Sequence, residues 1–155
     1  MAETFGSQYM RLKGKPIDCE GSKVHAHYRR IVKGKLELRL NWVQVANELS
    51  QSIEVQGVEI STKGGKLRVA DLIGSRIVLW SDTAPPAVVL TTEGRVRELF
   101  IWNCWRREDG STDALIGNGG MRIDKREGGT LRFRCNSRPI ITFEDLIFDV
   151  EFVRI

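Results

Sequence analysis

Leu36-Glu37-Leu38-Arg39-Leu40-Asn41-Trp42 puts an apolar side chain at every second position and a polar one between. A period of two is that of a half-buried β-strand, because successive side chains leave a strand on opposite faces. The period returns near the other end of the chain, where Leu146, Phe148, Val150 and Phe152 alternate with Asp149 and Glu151. Leu131, Phe133 and Cys135 alternate with Arg132 and Arg134, and Val24, Ala26 and Tyr28 alternate with His25, His27 and Arg29.

Outward from these runs the chain reads as short strands divided by turns. Val32-Lys33-Gly34-Lys35 predicts a hairpin linking the run through Arg29 to the run from Leu36. Ile53 and Val55 fall out of phase with Val58 and Ile60, which predicts a β-bulge at Gly57. Thr62-Lys63-Gly64-Gly65-Lys66 is a turn, and Leu67–Val69 and Arg76–Trp80 are strands separated by Gly74. Ala84-Pro85-Pro86 interrupts the chain before the apolar run Ala87–Leu90, which reads as a strand buried on both sides. Val96–Trp105 is the longest strand; both its faces turn apolar beyond residue 99, so it belongs in the middle of a sheet. Glu108–Ser111 and Glu127–Thr130 are turns, 113–120 is a Gly/Asn-rich loop, and Met121–Ile123 is a short strand. Thr142-Phe143-Glu144-Asp145 has the spacing to cap a single helical turn.

About nine or ten short strands with no convincing helix predict an all-β antiparallel two-sheet sandwich, jelly-roll-like, with an open β-barrel as the alternative. Residues 1–22 have no periodicity and read as an irregular basic arm; residues 23–155 read as a single sandwich domain. The chain of 155 residues is 41% hydrophobic and 28% charged, an ordinary globular balance for one domain. Cys19, Cys104 and Cys135 are far apart and odd in number, which argues against a disulfide framework. No apolar leader or membrane-length apolar run is present, so the expected compartment is the cytoplasm.

The net charge of +4 is uneven. Residues 1–40 hold nine Lys/Arg against four Asp/Glu, and the remainder hold fifteen against sixteen. A basic arm, with clusters at Arg11, Lys13 and Lys15 and at Arg29, Arg30, Lys33 and Lys35, offers a nucleic-acid contact. No recognised nucleic-acid motif accompanies it.

Several constellations carry chemistry. His25 and His27, two apart on a strand, share a face and have zinc-ligand spacing, the basis for a metal-dependent hydrolase reading. Neighbouring cations oppose it. Asp109-Gly110-Ser111-Thr112-Asp113 alternates oxygen ligands as calcium loops do, but position twelve counted from Asp109 is Gly120 and not Glu. No nucleophile elbow and no phosphate loop is present. The richest group is aromatic and polar: Trp80, Asp82, Trp105, Arg106 and Asn118. Trp102 and Trp105 have opposite parity, so one can face the core while the other meets a sugar ring or a protein partner.

Three stretches are more distinctive: Trp80-Ser81-Asp82-Thr83-Ala84-Pro85-Pro86, Ile101-Trp102-Asn103-Cys104-Trp105-Arg106 and Gly117-Asn118-Gly119-Gly120-Met121. With Arg134-Cys135-Asn136 and Phe143-Glu144-Asp145-Leu146, they resemble a set of small bacterial β-proteins of unassigned function. The resemblance covers about residues 78–150 and implies a bacterial origin and a shared fold. It implies no catalytic role. The sequence therefore points to a non-enzymatic binding or assembly module, whose partner is a protein, a second copy included, or a carbohydrate-like ligand. It needs no cofactor, with zinc or calcium as the metal alternatives.

Overall fold

The computed structural model describes residues 3–46, 51–56, 72–73, 76–84, 86–92, 98–107, 109–114 and 116–154, with 51–56, 72–73 and 76–77 described by backbone alone. The expected bulge at Gly57, the turn at 62–66, the strand at 67–69 and the first two residues of the run 96–105 lie outside these.

The chain is an all-β sandwich. Its elements are helix α1 (Phe5–Arg11), β1 (Ile17–Cys19), β2 (Ser22–Val24), β3 (Tyr28–Ile31), β4 (Leu36–Val45), β5 (Gln51–Gln56), β6 (Leu72–Ile73), β7 (Arg76–Trp80) and β8 (Ala87–Thr91). They continue with β9 (Glu98–Arg106), β10 (Thr112–Asp113), β11 (Gly120–Lys125), β12 (Thr130–Asn136) and β13 (Leu146–Arg154). One five-stranded sheet runs β11-β12-β13-β4-β8. A six-stranded sheet runs β10-β9-β5-β7-β6, with β3 also on β9, and β1 and β2 form a separate hairpin. All described pairings are antiparallel, and neither large sheet closes into a barrel.

The alternating runs explain the packing. Leu36, Leu38 and Leu40 of β4 face the same core as Phe133 of β12 and Phe148 and Val150 of β13. Leu79, Leu99 and Ile101 meet them from the six-stranded sheet. The cross-strand neighbours Phe133 and Phe148 stack with ring centroids 4.7 Å apart. Outside, the polar positions of the five-stranded sheet pair with one another: Arg132 with Asp149 at 2.8 Å, Arg134 with Asp124 at 3.0 Å, and Arg39 with Glu37 at 3.3 Å.

Four expectations are corrected. Residues 32–35 do not close a hairpin. β3 pairs with β9 and β4 with β13, so this link crosses from one sheet to the other. The nine paired positions between β4 and β13 satisfy more backbone and bury more apolar surface than a local hairpin would. β8 is an edge strand among those described, with Val88 and Leu90 buried and Val89 half-buried, rather than a strand buried on both faces. Residues 142–145 form no helical turn, because Phe143 adopts a left-handed φ of 55°.

Residues 3–24 are not an irregular arm. Thr4 caps α1, its hydroxyl accepting the Ser7 N–H at 3.2 Å. Phe5 and Tyr9, one helical turn apart, then fall on one face. That face joins Ile17, Val24, Ala26 and Phe143 in a second apolar cluster beside the main core. The Phe5 and Phe143 rings stack at 6.1 Å. Only one turn of apolar spacing is visible in so short a helix, too little to stand out as a period.

The second cluster makes the leader a structural part of the domain. Phe5→Ala should lower unfolding free energy by about 3 kcal/mol in chemical denaturation. An unchanged midpoint would return the leader to the status of a loose arm.

Candidate functional site

β9 and β12 end, and β11 and β13 begin, at the same end of the sandwich. Two loop segments, 116–119 and 137–145, cover that end and meet the start of α1. A buried amide organises them. Asn136 follows the core-facing Cys135, so its side chain leaves the strand on the outer side and would be wet there. It is instead fully buried, because the 137–145 loop folds back over it. Its Oδ1 accepts the backbone N–H groups of Thr142 at 2.9 Å and Phe143 at 3.3 Å. Its Nδ2 donates to the carbonyls of Asn118 and Arg138, both at 2.9 Å. All four hydrogen-bonding positions of the amide are therefore used. Its own carbonyl accepts from Asn103 Nδ2 at 3.1 Å, which ties the two sheets together.

Asp145 secures the other end of the loop. Its carboxylate is buried and accepts the Ser137 N–H at 2.8 Å, the Arg138 N–H at 3.1 Å and the Arg138 guanidinium at 2.6 Å. Burial alone pushes its pKa up. The Ser137 and Arg138 N–H groups and the Arg138 charge outweigh that and hold it below the ordinary aspartate value.

Asn118 is committed in the same way. Its Oδ1 accepts the Phe5 N–H at 3.2 Å, and its Nδ2 donates to the Pro139 carbonyl at 2.8 Å. The Gly6 N–H reaches the Gly117 carbonyl at 2.8 Å, and the buried Tyr9 hydroxyl donates to the Gly119 carbonyl at 3.1 Å. Burial pushes the Tyr9 pKa up, so the phenol stays a donor. Glycine is required at 119 and 120. A Cβ at Gly119 would lie 2.6 Å from the Trp105 ring, and one at Gly120 would collide with the Tyr9 hydroxyl.

These contacts sort the sequence-predicted residues. Trp105 is 8% exposed and packs on Gly119, so it is core and offers no face to a ligand. Asn118 is a fastener with both ends of its amide used. Trp80 and Arg106 do meet, the guanidinium lying 4.3 Å from the ring centre, so one indole face is already covered. Asp82 is exposed in the turn after Trp80. The five residues thus divide between an outer pair, a turn and a buried fastening; they do not line one pocket. Asn136 and Asp145 lie in distinctive stretches of sequence, but nothing in a period marks a polar residue that a later loop will bury.

His25 and His27 are both half-buried. Their pKa values lie below 6.5, His25 through burial and the nearby His27 and Lys23, and His27 through burial and Arg29. His27 packs edge-on against Phe100 at 5.6 Å. Among the described residues, no group of three His, Cys, Asp or Glu comes together that could hold a metal ion. The acids of the calcium-like stretch are turned to other uses. Asp109 accepts the Ser111 N–H at 2.8 Å, and Asp113 pairs with Arg107 at 3.2 Å. Of the nine basic residues in 1–40, Arg11 pairs with Glu3, Lys23 with Asp18 and Arg29 with Glu98, besides the Arg39 pair described above. Burial pushes the Cys135 thiol well up, with Asp145 and Cys104 adding to it, so it remains a poor nucleophile.

The fastened loops leave three isoleucines outside. Ile116 is 49% exposed, Ile140 76% and Ile141 45%. Ile116 stands two residues before Asn118, and Ile140 follows the Pro139 carbonyl that Asn118 holds. The three stand on the two loops that the Asn118–Pro139 hydrogen bond joins. No protein-family model, curated protein or solved structure matches the chain.

Asn136→Ala should cost about 3 kcal/mol or more, because it strands buried donors and acceptors on three segments; a loss under about 1 kcal/mol would mean the loops are held otherwise. Acid should act in two windows. A histidine whose folded-state pKa is lowered by burial binds its proton better in the unfolded chain, so stability falls as pH drops from 6.5 toward the lowered folded value. A lowered aspartate does the same below its ordinary pKa of 3.8. Denaturation midpoints of Asp145→Asn should therefore fall less steeply than wild type below about pH 4, though from a lower start. Parallel curves would contradict the assignment.

Proposed function

We propose that the protein is a non-enzymatic binding or assembly module that engages a protein partner through Ile116, Ile140 and Ile141. The observation that carries this reading is the combination of exposure and rigidity. Three β-branched apolar side chains stand in solvent on loops whose backbone is fastened by Asn118, Asn136 and Asp145. Exposed apolar patches mark interaction sites more often than isolated apolar residues do. Fastened loops lose little conformational freedom on binding, so more of the contact energy remains as affinity.

The buried position of Trp105 and the covered face of Trp80 leave less for a sugar to stack on. Free cysteines at 19, 104 and 135 suit a reducing compartment such as the bacterial cytoplasm. No helix among the described residues is long and apolar enough to cross a membrane.

Peptide selection from a random display library tests the reading. Wild type should enrich apolar peptides whose binding drops at least tenfold on Ile140→Asp, with the thermal midpoint unchanged because Ile140 is exposed. Peptides that bind the variant equally well would place the contact surface elsewhere.

A further inference from the structure

Of the five asparagines in the chain, Asn118 alone is followed by glycine. An Asn-Gly peptide is the one most prone to lose its side-chain amide, because a following residue without Cβ leaves its backbone nitrogen free to reach the asparagine Cγ. In the folded chain each participating group is held. The Gly119 nitrogen, which would attack, donates its N–H to the Ile116 carbonyl at 2.9 Å, and Gly119 is buried. The Asn118 amide, which would swing toward it, is pinned between the Phe5 N–H at 3.2 Å and the Pro139 carbonyl at 2.8 Å. Much of the pinning comes from the leader. The Gly6 N–H, the Phe5 N–H and the Tyr9 hydroxyl bond to Gly117, Asn118 and Gly119, three consecutive residues. If α1 withdraws, these three bonds go together.

We infer that Asn118-Gly119 is a deamidation site that the docked leader keeps closed, and that its conversion undoes the fastening for good. When α1 undocks, hydroxide takes the Gly119 N–H proton and the nitrogen attacks Cγ of Asn118. The new N–Cγ bond closes a succinimide ring. The Cγ–Nδ2 bond breaks, and the amide nitrogen leaves as ammonia with a proton from water. Water then opens the ring at one of its two carbonyls. One opening gives aspartate at 118; the other gives isoaspartate, with the main chain routed through the former side chain. Nothing is oxidised or reduced. Either product lacks the N–H that the Pro139 carbonyl accepts, and brings a carboxylate toward that oxygen instead. Isoaspartate also adds a methylene to the main chain beside Gly119, where even a Cβ would lie 2.6 Å from the Trp105 ring and 3.1 Å from the Ile116 carbonyl. The converted loops therefore cannot close as before.

Peptide mass spectrometry of the full chain, incubated at mildly alkaline pH both folded and in denaturant, reads this directly. Conversion at Asn118 should be slower in the folded protein by on the order of tenfold or more, since only the open fraction reacts. Tyr9→Phe keeps the ring and removes one of the three bonds from α1; it should speed conversion by about threefold or more. Val88→Ala is the control. Val88 lies in the main core and not in the leader's cluster, so its substitution should lower the thermal midpoint and leave the conversion rate unchanged. Converted protein, separated by its added negative charge, should melt below the unconverted form, and so should Asn118→Asp. Equal rates in the folded and unfolded chains would overturn the inference. So would a rate that Tyr9→Phe leaves unchanged or that Val88→Ala raises as much, or converted protein that melts as wild type does.

Discussion

The end of the sandwich depends on one buried amide. Asn136 occupies a position that strand alternation assigns to the outside, and it is dry only because the 137–145 loop returns over it. A buried primary amide with unmet donors or acceptors would cost several kcal/mol. That cost is removed only if the loop supplies the Thr142 and Phe143 N–H groups and the Arg138 carbonyl while the neighbouring loop supplies the Asn118 carbonyl. The conformation of two loops is thus dictated by one side chain. Phe143 illustrates the cost. Its left-handed backbone is unfavourable for a bulky residue, and it persists because its N–H is bonded to Asn136 and its ring is buried against Phe5.

From the amide the constraint spreads by short steps. Asn103 joins the six-stranded sheet to it, Asn118 joins α1 to the second loop, and Asp145 sets the take-off of β13. The leader therefore docks on the body through the same cluster that holds the loops bearing the exposed isoleucines. Polar networks of this kind favour one conformation strongly, since partial satisfaction is worse than none. It follows that the segments most distinctive in sequence, around Trp105, Gly119, Asn136 and Asp145, all take part in this fastening.

Much of the fold was legible from alternation. The runs at 36–42, 131–135 and 146–152 became β4, β12 and β13, and the run ending at Trp105 became the central strand β9. Pairing was less legible. The link at 32–35 has hairpin composition, yet the choice of neighbour was decided by the long β4–β13 register, which is non-local. The helix was missed because a seven-residue element gives one apolar repeat. Of the residues singled out by chemistry, Trp105 and Asn118 fall at the end of the sandwich that the fastened loops cover. Trp105, Arg106 and Asn118 drew attention for their chemistry, whereas the exposed Ile116, Ile140 and Ile141 look in sequence like ordinary core residues. Exposure of an apolar residue results from what the chain covers elsewhere, so no local pattern announces it.

Amide hydrogen exchange at Thr142 and Phe143 tests the amide fastening most directly. Both N–H groups lie in a loop on the end of the domain, where exchange is ordinarily fast. Held by Asn136, they should be protected nearly as well as core amides such as that of Phe133, and Asn136→Ala should release them while Phe133 stays protected. Rapid exchange of Thr142 and Phe143 in the wild-type protein would contradict the claim that the buried amide holds these loops.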